Sequence, residues 1–595
     1  MYSWKTLPTS LAVFILMIGA GFFFGTPQIL AVAATTSWQG LPWPRLNPIT
    51  LMALWLRTDP TVVTGAVLPP AVHWTVAVVT VLVLAALALI IVVIVVKWKN
   101  NPERTRGLAS VIDVKKEMGT RALEKKFGRK LRPSIKRPTA AEVGMLVGSF
   151  QGEDVWLRVE DPTIVIGPSR AGKGLYFVLN WILNAQGAVI TTTSKMENAQ
   201  STAVIREHHG SPVRIFAPGV EGGDGMGRTL KWDPVQGCDN EKTLTRRVKA
   251  LIPSDAFSGS TSNGGHWDTL GQQLASHLFH AAALANASVA TIWEWVGNPT
   301  RALDAVRIIR EHPKGLRDHA NHLESVINMP PEQRSTQWGV LPTSLAFLDS
   351  GAAREWMMPV PDERVDLVDF ILDRGTLYLV GDEATSGGYT RIIAGLLAEI
   401  DYITKGLADA SPGSRLDPPV SYILDEAGNF EYPGMYELIT AGGGRGRIAF
   451  AMVQARAQLQ QWGQEKAEAM WDAAAAKIIL PGGADEQKLR GLSELVGDLW
   501  VQRTSITHGG HGPASLQVSE EKRNILEVSQ IREMQKGHAL LFYRHLKPIV
   551  IKLNPFTEHA DYAESERQHN LAAEKMQAAS PFADKLRSRA GGQRA

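Results

Sequence analysis

Residues Thr163–Gly174 read TIVIGPSRAGKG, and the fold follows from that stretch. Thr163–Ile166 is a run of four β-branched residues, the composition of a buried strand. It leads into Gly167, Pro168, Ser169, Arg170, Ala171, Gly172, Lys173 and Gly174, a G-x-x-x-x-G-K pattern. Such a loop holds phosphate for three reasons. Its glycines let backbone N–H groups approach, the next helix adds partial positive charge at its N-terminus, and the lysine reaches the terminal phosphates. The helix is expected in GLYFVLNWILNAQ, which follows at once. Gly174 stands where a Ser or Thr usually ligates magnesium. Magnesium keeps several waters in protein sites, so a water is expected in that position and the site is expected to work.

A phosphate loop needs an acid at the tip of a neighbouring strand, and SYILDEAGNF (Ser421–Phe430) supplies one. Asp425 is the candidate magnesium ligand, and Glu426 the candidate that orients and polarises the attacking water. The bland reading is a pair of surface carboxylates at a strand end. GGGRGRIAF (Gly442–Phe450) places Arg445 and Arg447 before another strand. One of them is a candidate arginine finger, reaching a neighbouring subunit's γ-phosphate; a surface or DNA-contacting arginine is the alternative. Gln454 ends that strand and is read as a sensor of the γ-phosphate, against a helix-capping role.

The same rhythm of short apolar runs and helix-like segments gives strands at GAVITTTS, VRIFAP, GTLYLVGD, AAKIILPGG and HALLFYRHLKPIVIKL, the pattern of an α/β parallel sheet. From about Ser254 to Ser350 apolar residues recur at three- and four-residue spacing instead, which predicts an all-helical insertion.

Val76–Val96 is an uncharged run of 21 residues. At about 1.5 Å per residue it covers a hydrocarbon core of roughly 30 Å. Lys97, Lys99, Arg104 and Arg106 follow it and assign that end to the cytoplasm. Leu11–Gly25 is an earlier apolar run. It is read as a first span, with a signal peptide cleaved near Ala31-Val32-Ala33 as the alternative. With 595 residues the chain is too long for one core. Its one cysteine, Cys238, forbids an intrachain disulfide framework. The net charge of +3 means that any attraction to nucleic acid must come from local patches.

The expected organisation is a membrane anchor over 1–98, with spans at about 10–34 and 75–96, and a basic neck over 99–138. The neck is read as a lipid-facing helix, with nucleic-acid contact as the alternative. A nucleotide-binding domain in two parts, 139–253 and 353–555, brackets the all-α domain at 254–352, and a mobile polar tail closes the chain at 556–595.

Taken together, these residues resemble the VirD4/TraG-type coupling proteins of type IV secretion and conjugation, over most of the chain to about Asn554. GPSRAGKG looks like that family's Walker A segment, where glycine after the lysine is common, and YILDEAGNF like its Walker B. VITTTSKMEN lies where many members carry an aspartate-proline-lysine-glycine-glutamate run. Lys195 and Glu197 match it, whereas Thr193 and Ser194 depart, so no catalytic role is carried there. The resemblance implies an α/β RecA-like P-loop ATPase domain with an inserted all-α domain, preceded by two N-terminal transmembrane helices. It implies ATP and Mg2+ as cofactors, a homo-hexamer, and a multi-pass place in the inner membrane with the ATPase domain in the cytoplasm. The implied partners are single-stranded DNA with its relaxase, or secreted proteins, and the components of the secretion channel. Three rival functions stand beside DNA coupling: a protein-only secretion receptor, an FtsK-type DNA translocase and a non-enzymatic scaffold. The tail is too short for the C-terminal DNA reader of the FtsK type, and the presence of both Lys173 and Glu426 argues against the scaffold.

Overall fold

The β-rich runs named above fold into one mixed sheet. The computed structural model describes Gly40 and residues 107–579, apart from 221–225, 253–263, 382–386, 431, 483–485 and 508–514. Its strands, in chain order, are β1 Gly144–Phe150, β2 Glu153–Arg158, β3 Thr163–Ile166, β4 Val189–Thr193, β5 Val213–Phe216, β6 Thr376–Val380 and β7 Val420–Leu424. They continue as β8 Arg447–Val453, β9 Ala476–Ile479, β10 Asp498–Thr507, β11 Ser515–Asn524, β12 His538–Tyr543 and β13 Ile549–Leu553. The spatial order is β2-β1-β13-β12-β9-β3-β8-β7-β4-β6-β5, with β10 and β11 apart as a hairpin. From β9 to β5 every pairing is parallel, while β12, β13, β1 and β2 extend the β9 edge antiparallel.

A parallel sheet is covered on both faces, which is why its strands read as unbroken apolar runs. Ile164, Ile190, Leu379 and Leu424 face one core, with Leu274, Leu278, Ile392 and Leu396 in the same cluster. Val165, Val189, Tyr378 and Ile423 face the other, with Trp181, Ala199, Val114 and Met118. Those last two belong to the expected neck. Val111–Met118 is a helix whose buried side chains join the core, and Arg132 holds Asp417 at 2.5 Å. The described part of the neck is therefore built into the folded unit, not laid out in solvent.

Between β5 and β6 the described residues hold helices and no named strand. The helical stretch is wider than the sequence suggests: it opens at Glu241–Leu251 and closes at Leu367–Leu372. Its longest helix, Gly264–Leu284, meets Arg317–Ile327 through facing histidines, with His277 Nε2 2.9 Å from His322 Nδ1. Burial and the neighbouring imidazoles push His277 down to about 3, so His277 is uncharged near neutral pH.

The polar tail, expected to be mobile, begins instead as a helix, Tyr562–Ala579, packed on the helix Glu197–His208. Ser565 Oγ donates to the Ser201 carbonyl at 2.6 Å, and Ser201 Oγ lies 3.2 Å from His569 Nδ1. The two expected membrane spans fall outside the described residues. Among the described residues no helix is long and apolar enough to cross a membrane.

Candidate nucleotide site

Strand register decides which residues meet. β3 pairs with β8 so that Ile166 lies opposite Val453, and β8 pairs with β7 so that Ala451 lies opposite Leu424. The residues that leave these strands therefore share the C-terminal edge of the sheet: the loop Gly167–Gly174, then Gln454, then Asp425 and Glu426. In an open α/β sheet that edge is where ligands bind. The helix expected after the loop forms as a π-helical turn, Gly174–Val178, continued by Leu179–Asn184.

Lys173 folds back over its own loop, with Nζ donating to the carbonyls of Gly167 at 2.7 Å and Pro168 at 3.2 Å. Burial lowers its pKa, and the nearby carboxylates of Asp425 and Glu426 oppose that shift. The lysine thus stands between the loop and the acid pair. Ser169 and Arg170 are exposed on the loop's crest. Gly172 has φ +93, and a Cβ there would lie 2.6 Å from the Tyr176 ring, so this position admits glycine alone. Gly174 is different: a Cβ would meet nothing within 4 Å. Gly174→Ser should therefore fold with stability within about 0.5 kcal/mol of the parent. It should also lower the magnesium concentration needed for half-maximal ATP hydrolysis; a titration that shows a collapse of activity would contradict the open geometry.

Asp425 follows β7, and its backbone carbonyl accepts from Thr192 Oγ1 at 3.0 Å. Its carboxylate accepts from the Glu426 N–H at 3.1 Å. Burial, with Glu426 beside it, pushes Asp425 up to about 6, against the pull of Lys173. Two adjacent, partly buried carboxylates repel one another, and hard oxygen donors of this kind suit Mg2+. Glu426 has φ 53 and ψ 42, a left-handed conformation that costs a non-glycine residue about 1–3 kcal/mol. Strain of this sort is retained where the position of the side chain matters.

Asn198 is a member of the site that the sequence did not reveal. It sits one residue into the helix Glu197–His208, buried, and its amide lowers the pKa of Asp425. Its Nδ2 lacks a well-aligned hydrogen-bond partner among the described residues. It follows Lys195 and Glu197, both exposed, in the segment that departs from the family run.

The two arginines are not brought to this edge. β8 runs from Arg447, opposite Val420, to Val453, so they lie at the other end of the strand, roughly 20 Å away at about 3.3 Å per residue. Arg447 is fully buried, its Nη1 2.6 Å from Asp401 Oδ1. A guanidinium enclosed in this way cannot reach a neighbour's phosphate, which corrects the expectation for Arg447. Arg445 is a third exposed and only loosely paired, at 3.4 Å from Asp409 and 3.7 Å from Glu437. It alone of the pair keeps the freedom that a finger needs. Gln454 is exposed, and its backbone N–H donates to Gln458 Oε1 at 2.6 Å.

Comparisons with known proteins bear on the family and the fold. Residues 114–285 match the family model described as Type IV secretory system Conjugative DNA transfer. Residues 419–536 match the one described as TraM recognition site of TraD and TraG. Over 408 residues the chain is 22% identical to Protein VirD4 of Rhizobium rhizogenes and to Protein VirD4 of Agrobacterium fabrum. That alignment takes in 66% of this chain and 57% and 58% of those proteins, so the chain spans little more than half the length of these curated relatives. The bacterial conjugative coupling protein TrwBdeltaN70, in its unbound monoclinic form, shares the fold with a TM-score of 0.53 and 15% identity, over 73% of this chain and 93% of that one. TrwB solved with a non-hydrolysable ATP analogue gives a TM-score of 0.50 at 15% identity, over 72% of this chain and 92% of that one. The two matched models and these relatives make the chain similar to the VirD4/TraG-type coupling proteins, and the fold it shares with TrwB is that of a RecA-like P-loop ATPase.

Proposed function

We propose that this protein is a membrane-anchored, ATP-driven coupling protein that brings a relaxase–DNA complex to a type IV secretion channel and helps to move single-stranded DNA through it. The observation that carries this reading is the convergence of Lys173, Asp425, Glu426 and Gln454 on one edge of the sheet. In the working site Lys173 leaves its loop carbonyls for the terminal phosphates. Asp425 would hold Mg2+ directly or through water, and Glu426 would orient the attacking water. Bound magnesium supplies positive charge against the charge that develops on the transferred phosphoryl group. Gln454 lies where a γ-phosphate would be felt, and Arg445 is offered to a neighbouring subunit of a homo-hexamer. DNA would be held through its phosphates, so its binding should weaken steeply as salt rises. On this reading the two apolar N-terminal runs would anchor the protein in the inner membrane, with the ATPase domain on the cytoplasmic side.

The matching test is genetic. In cells whose sole copy carries Lys173→Ala, plasmid DNA transfer should be lost while the protein still accumulates in the membrane. Transfer that persists in that strain would refute the motor. Loss of protein export with DNA transfer intact in the wild type's absence would instead favour a secretion receptor for proteins.

A further inference from the structure

Four histidines meet inside the helical stretch, and nothing in the nucleotide site uses them. His277 and His280 lie three residues apart on the helix Gly264–Leu284, and His319 and His322 three apart on Arg317–Ile327, so each pair shares one face of its helix. The facing rings are close, with centroids 4.3 Å apart for His277 and His319, 5.2 Å for His277 and His322, and 5.5 Å for His280 and His319. His277 and His280 are buried, and His319 and His322 are partly so.

The hydrogen bonds here leave no place for added protons. The Leu316 N–H donates to His280 Nε2 at 3.3 Å, so the proton of the neutral His280 ring sits on Nδ1 and is donated to the Cys238 carbonyl at 3.0 Å. A second proton on that ring would turn one N–H against another. His277 Nε2 and His322 Nδ1, 2.9 Å apart, share a single proton, and with both rings charged two N–H groups would face each other there. His277 Nδ1 and His319 Nδ1 are buried with no hydrogen-bond partner among the described residues, so a proton placed on either finds no acceptor. The surrounding carboxylates offer little relief. Glu241, which opens the helix Glu241–Leu251, and Asp318 favour the charged form of His319, yet burial and His280 outweigh them and its pKa is lowered. Asp239 is held by Lys314 at 2.6 Å, Glu324 by Arg310 at 2.5 Å and Glu294 by Arg301 at 3.5 Å. Val340–Ser344, packed against the same long helix, carries no ionisable side chain.

We propose that this four-histidine contact is a proton-operated latch in the helical domain, closed while the imidazoles are neutral and driven open when His277 and His319 take up protons. Both groups bind protons more weakly in the closed form than in the open one. The latch is therefore fully stable above about pH 6.5, the ordinary histidine value, and weakens as pH falls below it. For His277 that loss continues down to about 3. From pH 7.5 to pH 5.5 the equilibrium constant for opening should rise about tenfold through His277 alone, and toward a hundredfold with His319. Nucleotide plays no part in it.

Hydrogen exchange on the full chain in detergent tests this, read peptide by peptide at pH 7.5 and pH 5.5 after correction for the intrinsic rate. Peptides from Gly264–Leu284 and Arg317–Ile327 should lose about ten- to a hundredfold of their protection at the lower pH, while the strand Arg447–Val453 keeps its own. His277→Gln and His319→Gln keep a polar side chain that cannot become charged, and each should flatten the pH response of both helices. Equal protection of the two helices at both pH values in the wild type would overturn the proposal, whether or not the variants fold. A pH response in both variants as large as that of the wild type would do the same, and so would a loss that extends equally to Arg447–Val453, the mark of global unfolding. If Zn2+ at pH 7.5 raises the protection of both helices about tenfold, the imidazoles hold a metal ion and the latch is refuted.

Discussion

Glu426→Gln should bind ATP as tightly as the wild type and hydrolyse it on the order of a hundred- to ten-thousandfold more slowly. Gln keeps the size and the hydrogen-bonding reach of Glu but cannot accept a proton or carry negative charge. The substitution therefore removes the proposed action on water without touching the phosphate loop. The structure gives a second reason to single out this side chain. Its backbone is held at φ 53, and Glu426 Oε2 accepts from Asn429 Nδ2 at 3.4 Å, so its place is fixed by the turn that follows β7. Gln can keep that contact through its own carbonyl oxygen. The effect should fall on kcat and leave nucleotide affinity alone, because the group acts on charge that appears in the transition state. Steady-state hydrolysis together with equilibrium ATP binding separates the two. A Glu426→Gln protein with full turnover would assign the chemistry to another residue; one that fails to bind ATP would make Glu426 part of the binding site.

Arg447→Ala should cost about 3–5 kcal/mol of stability, the usual penalty for breaking a buried ion pair from one side. Arg447 donates through Nη1 to Asp401 Oδ1 at 2.6 Å and to the Asp401 backbone carbonyl at 3.1 Å, in a fully buried place. Burial raises the pKa of Asp401, and Arg447 is the first group that opposes it. Without the guanidinium, the carboxylate must take up a proton or draw water into the core. Replacing both partners, Arg447→Leu with Asp401→Leu, should recover most of the loss, since apolar pairs often equal buried ion pairs. Urea unfolding followed by fluorescence reads this directly. A stable Arg447→Ala protein that has lost only its hydrolysis would restore the arginine to a catalytic role and refute the structural one.

The contrast between Glu426 and Arg447 shows what sequence can reveal here. β8 reads RIAFAMV, and all seven of its residues are buried. A strand covered on both faces needs apolar side chains at every step, so such strands announce themselves, and the chemistry sits where they stop. Thr163–Gly167 and Ser421–Glu426 were legible for that reason. Arg447 was not, because a charged residue beside a glycine run reads as surface. Its partner, Asp401, is 46 positions away on the long helix Gly387–Ala410. Asn198 was hidden because its role depends on where a helix starts relative to β7. The helix Tyr562–Ala579 was hidden because its contacts are made by polar residues such as Ser565 and His569, which leave no apolar period. The hairpin of β1 and β2 went unread as well. It sits on the antiparallel edge of the sheet, and Glu153 and Asp154 in β2 break the apolar run.

The central claim is that this edge of the sheet drives DNA transport with ATP. Its most direct test is phosphate release by the full chain in lipid nanodiscs, with and without single-stranded DNA, at low and high salt. The account predicts magnesium-dependent hydrolysis that single-stranded DNA stimulates at low salt, that high salt returns to the basal rate, and that Lys173→Ala abolishes. Hydrolysis absent under every condition, or unaffected by Lys173→Ala, would contradict it.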